Sequence, residues 1–246
     1  NMLNFLINIY TTAIYEPILN LLVGLYNIIP GHDIGLVIIL ITIVIRIILA
    51  PFMHKSLKGQ KEMSVLQPKI AVLREKHKDD KAEQTKAITE LYKEHNINPF
   101  ASCLPLLIQL PILIALYQVF DKALKGNLDG LYSFVSHPGV LNSTLFGIVD
   151  LANPNIILAI VAGVVQFWQS WMITKSQNTE GMDPTMKAMS IPTLYILPLV
   201  SIYIAWKLPA GLPLYWIVTT LFAIGQQHYF NRTHVPKEIV VTAKEV

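Results

Sequence analysis

Arg46 is the residue with the strongest claim to chemistry, because of where it stands. Residues 34–53 contain no other Asp, Glu, Lys or Arg, and Ile45, Ile47, Ile48 and Leu49 surround it. A guanidinium offers five N–H donors and a permanent positive charge, the equipment for holding a carboxylate or another anion. In the apolar centre of a bilayer it costs from ~3 kcal/mol on insertion scales to over ~10 in simulations of an isolated helix. Two readings follow. Arg46 snorkels along its own helix to the headgroups, or it lines a water-filled cavity open to the cytoplasm. Thr42 lies one turn away on the same helix face, and Gln109, Gln166, Gln169, Ser170, Thr219 and Thr220 are polar residues of other apolar runs. Each glutamine alone is also ordinary interhelical glue. None of these runs supplies an Asp or Glu until Asp121, so the cation has no carboxylate of its own.

Catalytic patterns are missing. The chain has no Gly-x-x-x-x-Gly-Lys-Ser/Thr phosphate loop, no His-Glu-x-x-His and no Gly-x-Ser-x-Gly. Its single cysteine, Cys103, excludes a disulfide and a cysteine-based metal centre, and reads as a small packing residue. No enzyme, cofactor or metal is expected.

The elements that position Arg46 follow from the charge distribution. Of 246 residues 53% are hydrophobic and 14% charged, against roughly 25% charged in soluble domains. Segments 95–120, 151–174, 188–206 and 208–231 have no Asp, Glu, Lys or Arg, and 34–53 has only Arg46. Each is near the ~20 residues that cross a ~30 Å hydrocarbon core. The expectation is an all-α polytopic membrane protein with five transmembrane helices, 34–53, 99–120, 155–173, 188–207 and 210–230, around a hydrophilic groove. Prolines 99, 105 and 111, 192 and 198, and 209 and 213 free backbone carbonyls and suit a deformable bundle.

Lys and Arg number 10, 2 and 3 in segments 54–98, 174–187 and 231–246, but 0, 2 and 1 in 1–33, 121–154 and 207–209. The positive-inside bias makes the first set cytoplasmic and the extracytoplasmic loop 121–154 external, with the N-terminus outside and the tail 231–246 inside. The start at Asn1, without a Met or a basic-then-apolar leader, suggests a processed chain.

Residues 3–29, within the segment 1–33, are apolar enough to span. Yet Asn4, Asn8, Thr12, Glu16 and Asn20 recur every fourth residue. This polar stripe favours an interfacial amphipathic helix at the outer face, bent at Pro17. Spanning would place Glu16 in mid-bilayer at ~2.5–3.5 kcal/mol. Segment 54–98 reads as a cytoplasmic hairpin of two helices: Met63, Leu66, Ile70, Leu73 and His77 form one stripe, Ile88, Leu91, Tyr92 and His95 the other. Asp80 followed by Glu83 reads as a capping box opening the second helix.

These residues resemble the YidC family of membrane protein insertases, the bacterial branch of the Oxa/Alb group. The resemblance covers 34–231. It rests on Thr42-Ile-Val-Ile-Arg46 with Ala50-Pro51, Leu66-Gln-Pro-Lys69, Lys78-Asp-Asp80, Leu91-Tyr-Lys93, Asn98-Pro99 leading through Cys103 and Gln109 to Tyr117, Pro209-Ala-Gly-Leu-Pro-Leu-Tyr215-Trp-Ile-Val218, and Gln226-Gln227. It implies an insertase and chaperone for nascent membrane proteins, in the five-span form of Gram-positive and related bacteria without a large extracytoplasmic domain, resident in the bacterial plasma membrane.

In that likeness the groove lining is Arg46, Thr42 and Gln109, with Gln166, Gln169, Tyr215 and Trp216 beside them. Trp216 stands where some members carry a second tyrosine, which leaves an apolar sliding surface without a phenol. The hairpin receives substrate or ribosome through Lys58, Lys61, Lys69, Arg74, Lys76 and Lys78. The implied partners are nascent chains, lipid, the ribosome, the signal recognition particle receptor and the Sec translocon, with insertion independent of Sec or assisted by it and no sequence-specific contact to nucleic acid. The tail departs from members with long basic tails, carrying only Arg232, Lys237 and Lys244. A secondary transporter or anion channel would also keep a buried arginine, but the chain has no internal repeat of the kind such transporters show. An assembly factor that only packs against other spans would need no hydrated arginine.

Overall fold

The computed structural model describes residues 2–98, 104–176 and 192–233. Pro99, Cys103, most of the 174–187 loop, the start of the fourth expected span and the tail from residue 234 lie outside them.

Helices α1 (Met2–Tyr10) and α2 (Glu16–Ile28) run into one another through a π turn at Thr11–Tyr15. The Glu16 N–H bonds to the Thr11 carbonyl, one residue further back than in an α-helix. The widened turn stands just before Pro17, whose ring would press on the carbonyl four residues earlier in a regular helix. The expected bend is therefore a local widening. Asn4, Asn8 and Thr12 are exposed, whereas Asn20 is buried and Leu19, Leu22 and Val23 are fully buried in the main core. The polar stripe thus changes surroundings along its length. Residues 4–28 form a helix long and apolar enough to cross a membrane by length and composition.

A turn at Pro30–Asp33 leads into α3 (Ile34–Lys76), capped by Asp33, whose Oδ1 accepts from the Leu36 N–H at 2.9 Å. The expected boundary between span and hairpin at 53/54 is not a break. α3 is a single helix of 43 residues, ~65 Å at 1.5 Å per residue, with Pro51 and Pro68 inside it. Its apolar first half presents Ile34, Ile38, Ile41, Thr42 and Arg46 inward, while Ile47, Ile48 and Phe52 are exposed on the other side.

After a short turn, α4 (Lys81–Glu94) folds back on the far end of α3. Asp80 opens it, accepting from the Ala82 and Glu83 N–H groups at 3.0 Å each. Leu66, Ile70, Leu91 and Ile97 are buried together, with Met63, Leu73, Ile88 and Tyr92 against them. The two sequence stripes meet, and the hairpin has its own small core.

Helix α5 (Leu104–Leu124) ascends to a loop over residues 125–155 that carries a two-residue strand pair, β1 (Thr144–Leu145) and β2 (Val149–Asp150). Then come α6 (Ile156–Ser176), a π turn at Pro192–Ile196 continuing into α7 (Leu197–Lys207), and α8 (Gly211–Thr233). α6 and α8 are 21 and 23 residues long. Helices 34–76 and 156–175 also meet the length and composition needed to cross a membrane, and 194–207 is a shorter apolar helix. The fold is an all-α polytopic membrane protein.

α6 packs most extensively on α7 and α8, and α3 on α8. At Gly163 of α6 an added Cβ would fall inside the space of Ile202, so the glycine sets how closely α6 and α7 approach, as small residues do between helices in lipid. α5 touches α3 and α8 far less, and mostly toward its loop end, where Ala115, Leu116, Val119 and Phe120 join Ile34, Val37, Ile38, Ile41, Leu212 and Leu214 in the main core. The loop seals that end with Leu128, Leu141 and Leu151. Asn20 ties it down, donating to the Gly130 carbonyl at 2.9 Å and accepting from the Tyr132 N–H at 2.7 Å. The Tyr26 hydroxyl accepts from the Asn142 N–H at 2.8 Å, and Asn27 donates to the Ser136 carbonyl at 2.8 Å. The bundle is thus apolar and closed at the loop end, and its polar interior groups begin below that seal.

Candidate functional site

Three helices bring Arg46, Gln109 and Tyr215 together. The inward stripe of α3 carries Arg46, which is 7% exposed. Its Nη2 donates to Gln109 Oε1 on α5 at 3.0 Å, and Gln109 Nε2 donates in turn to the Tyr215 hydroxyl on α8. The amide is oriented by this chain: its oxygen faces the cation and its nitrogen faces the phenol oxygen. The guanidinium reaches across to a neighbouring helix, which is the opposite of running along α3 to the headgroups.

Thr42 is fully buried one turn before Arg46, and its hydroxyl donates to the Ile38 carbonyl at 2.5 Å. Its proton is committed to the backbone, so only oxygen lone pairs remain for a visiting group. Among the described residues no carboxylate pairs with Arg46; ion pairs such as Lys58–Glu62, Lys78–Glu75, Lys86–Glu83 and Lys125–Asp121 lie elsewhere and are exposed. A buried cation satisfied by a neutral amide keeps most of its charge available. The remaining donors of its guanidinium suit a carboxylate or a peptide carbonyl.

A second polar pair joins α8 to α6. Trp216 Nε1 on α8 donates to Gln166 Oε1 on α6 at 3.1 Å. Neighbours in sequence, Tyr215 and Trp216 serve different helices: the first faces α5, the second α6. Gln169, one turn beyond Gln166, is half-buried and hydrogen-bonds to none of the described residues. Thr220 donates to the Trp216 carbonyl at 2.8 Å, and the buried Thr219 hydroxyl has no partner among the described residues. Among the described residues no group of three His, Cys, Asp or Glu could hold a metal ion.

A family model described as "60Kd inner membrane protein" matches residues 24–238, a span that contains both hydrogen-bonded groups and the hairpin. The chain belongs to this family. Curated relatives carry the name "Membrane protein insertase YidC". The protein of Geotalea daltonii is 36% identical over 224 residues, which cover 90% of this chain and 38% of that protein. That of Pelobacter propionicus is 34% identical over 224 residues, 90% of this chain and 39% of the relative. That of Clostridium tetani is 35% identical over 198 residues, 80% of this chain and 81% of the relative. The chain thus spans about two fifths of the length of the first two relatives and most of the third.

The family match includes the hairpin cations, which the structure does not gather into one patch. Lys58 pairs with Glu62 at 3.7 Å and Lys78 with Glu75 at 3.4 Å. Lys69 Nζ lies 3.5 Å from His95 Nε2. Arg74 is half-buried and its carbonyl accepts from Gln84 Nε2 at 2.8 Å, while Lys76 is exposed near the tip. Lys61 sits apart, in a cleft between α3, α6 and α8. Tyr92, packed in the hairpin core, has its phenol pushed above the usual range by burial.

Three polar contacts escape a reading of spacing alone. Tyr10 donates to Gln118 Oε1 at 3.1 Å, Asn20 is bound by the loop, and Asp33 Oδ2 accepts from the Phe146 N–H at 2.5 Å. All three join the N-terminal helix or its turn to α5 and the loop, a segment with no periodicity to announce where it folds.

Proposed function

We propose that this protein inserts nascent membrane proteins into the bilayer, hosting the hydrophilic tail of a substrate beside Arg46 and releasing its hydrophobic span to lipid. One observation carries the reading: in a chain of this family, whose relatives are named insertases, the buried Arg46 is held by Gln109 and, among the described residues, by no carboxylate. The five expected spans run with the hairpin in the cytoplasm and the loop outside, as the basic residues favour. The N-terminal helix lies at the outer interface. Beneath the apolar seal of the loop end, Arg46, Thr42, Gln109, Gln166, Gln169, Tyr215 and Trp216 form the wall of a groove open toward the hairpin. The cations of the hairpin receive the nascent chain at the ribosome or its targeting receptor, and insertion proceeds with or without the Sec translocon.

No nucleotide is needed for the driving force. A substrate span of ~15 apolar residues supplies roughly 5–9 kcal/mol on entering lipid, against ~2.5–3.5 for one acidic residue in its tail. The membrane potential adds ~2.3 kcal/mol per 100 mV for an acid moving outward. The barrier to the tail is what remains, and a positive charge already desolvated in the bundle lowers it. Reconstituted vesicles test this: Arg46→Ala slows insertion of a single-span substrate with an acidic tail about tenfold, the rate equivalent of ~1.4 kcal/mol. Insertion at the wild-type rate overturns the role of the charge.

A further inference from the structure

At the hairpin end of the bundle, α3, α6 and α8 part around a small cleft that opens to the outside. Lys61, Gln227 and Asn231 line it together with the apolar Leu57, Ile173 and Phe230. Two further polar side chains on its wall are engaged: Gln60 donates to Ser56 at 3.3 Å and Ser64 to the Lys61 carbonyl at 2.8 Å. Gln227 is different. It is 6% exposed, yet its amide hydrogen-bonds to none of the described residues. The amide atoms are not among the fully buried ones and keep contact with the open space of the cleft, so they are free to donate to acceptor oxygens of a ligand there. Lys61 is half-buried and, unlike Lys58 one turn earlier, has no carboxylate among the described residues. Among the described residues no Asp or Glu lines the cleft.

The cleft stands at a recognisable depth. The apolar run of α6 stops at Lys175, whose ammonium lies 4.9 Å from the Trp171 ring, and Ile173 lies between those two residues. His54, immediately after the apolar run of α3, meets Phe230 edge-on at 5.0 Å, and Tyr229 beside it is 66% exposed. Tryptophan, tyrosine and basic residues at the ends of apolar helices mark the headgroup layer. The carbonyl ends of α6 and α8 favour cations there, and Lys61, Lys175 and Arg232 supply them.

We propose that this cleft binds the phosphate of an anionic phospholipid in the leaflet at the hairpin end. Lys61 supplies the charge, the Gln227 amide donates to a phosphate oxygen, and Leu57, Ile173 and Phe230 receive the glycerol and first acyl carbons. The inference needs the helices to cross a bilayer and does not depend on insertase activity, so retained lipid, not insertion, is the readout.

The test is native mass spectrometry of the purified full chain from nanodiscs of phosphatidylglycerol and phosphatidylethanolamine. The wild type retains phosphatidylglycerol in preference. Lys61→Gln lowers that retention about fivefold, the value of ~1 kcal/mol for a lysine at an anionic surface. Gln227→Glu, similar in shape but repelling phosphate, lowers it at least as far, and Gln227→Leu does so by removing the donor. Lys58→Gln, in the exposed pair, leaves it unchanged. Equal retention in all variants, no lipid preference in the wild type, or a loss in Lys58→Gln equal to that in Lys61→Gln overturns the site. Displacement of the lipid by millimolar inorganic phosphate overturns the lipid as its ligand and assigns the cleft to free phosphate.

Discussion

The amide oxygen of Gln109 accepts from the Arg46 guanidinium at 3.0 Å, so the cation of α3 is anchored by a neutral group of α5. A carboxylate in the same place would hold the arginine more tightly and cancel its charge. Nature of the partner, more than burial, decides what Arg46 can offer a substrate.

Gln109→Glu therefore separates anchoring from charge. The variant keeps the side-chain length and the bond to Arg46, and it is expected to slow insertion of an acidic-tailed substrate about tenfold, the equivalent of ~1.4 kcal/mol. A substrate identical except for a basic tail is expected to lose no rate. Paired assays in vesicles read both, and equal slowing of the two substrates would mean that the substitution acts through packing.

The Trp216–Gln166 bond at 3.1 Å joins α8 to α6, away from Arg46. Side-chain hydrogen bonds between membrane helices average ~0.6 kcal/mol in coupling experiments. A double-mutant cycle of Trp216→Phe and Gln166→Leu, followed by unfolding in mixed micelles, is expected to give a coupling of about that size. A coupling indistinguishable from zero would show the contact to be energetically idle.

Asn20 satisfies a carbonyl and an N–H of the loop at once. Asn20→Leu removes both bonds, at about 1 kcal/mol each for ordinary net hydrogen bonds, since Gly130 is exposed and Tyr132 half-buried. Chymotrypsin cleavage after Phe134, which is 80% exposed, is expected to speed up, while cleavage in the hairpin stays at its original rate.

Asp150 is held below the usual carboxylate range by the Ala152 N–H first, then by Asn153 and Ser143. A depressed folded-state value means that its contribution is complete above the ordinary carboxyl range and fades as pH falls through the lowered value. Protection of the Ala152 N–H from hydrogen exchange, taken relative to the intrinsic rate at each pH, is expected to fall on acidification in the wild type. In Asp150→Asn, which cannot titrate, that pH dependence should be absent.

What was legible in the chain depended on whether a signal was local. One arginine in an apolar run is visible without any partner, and so are the hairpin stripes, because Leu66, Ile70 and Leu91 recur at helical spacing and find each other across a short turn. Gln109 and Tyr215 are polar letters in separate helices, and their meeting at Arg46 depends on how α5 leans between α3 and α8. Resemblance pointed to that grouping; periodicity could not. The stripe through Asn20 was visible, but its cover is an aperiodic loop 110 residues away in sequence. Gln227 entered only as part of a motif, since an unpartnered amide is a property of the surrounding helices.

The uninterrupted α3 has a consequence for phase. Arg46 and the hairpin cations as far as Lys76 lie on one continuous helix from Ile34 to Lys76, whose backbone ladder misses a donor only at Pro51 and Pro68. Adding or removing one residue between positions 47 and 60 would turn everything beyond it by ~100° and shift it by ~1.5 Å relative to the arginine. Such a change would leave composition, hydropathy and every individual side chain almost untouched. It would nonetheless swing Lys61 out of its cleft and turn the whole hairpin, α4 included, relative to Arg46, so the length of this rod is itself an inherited constraint.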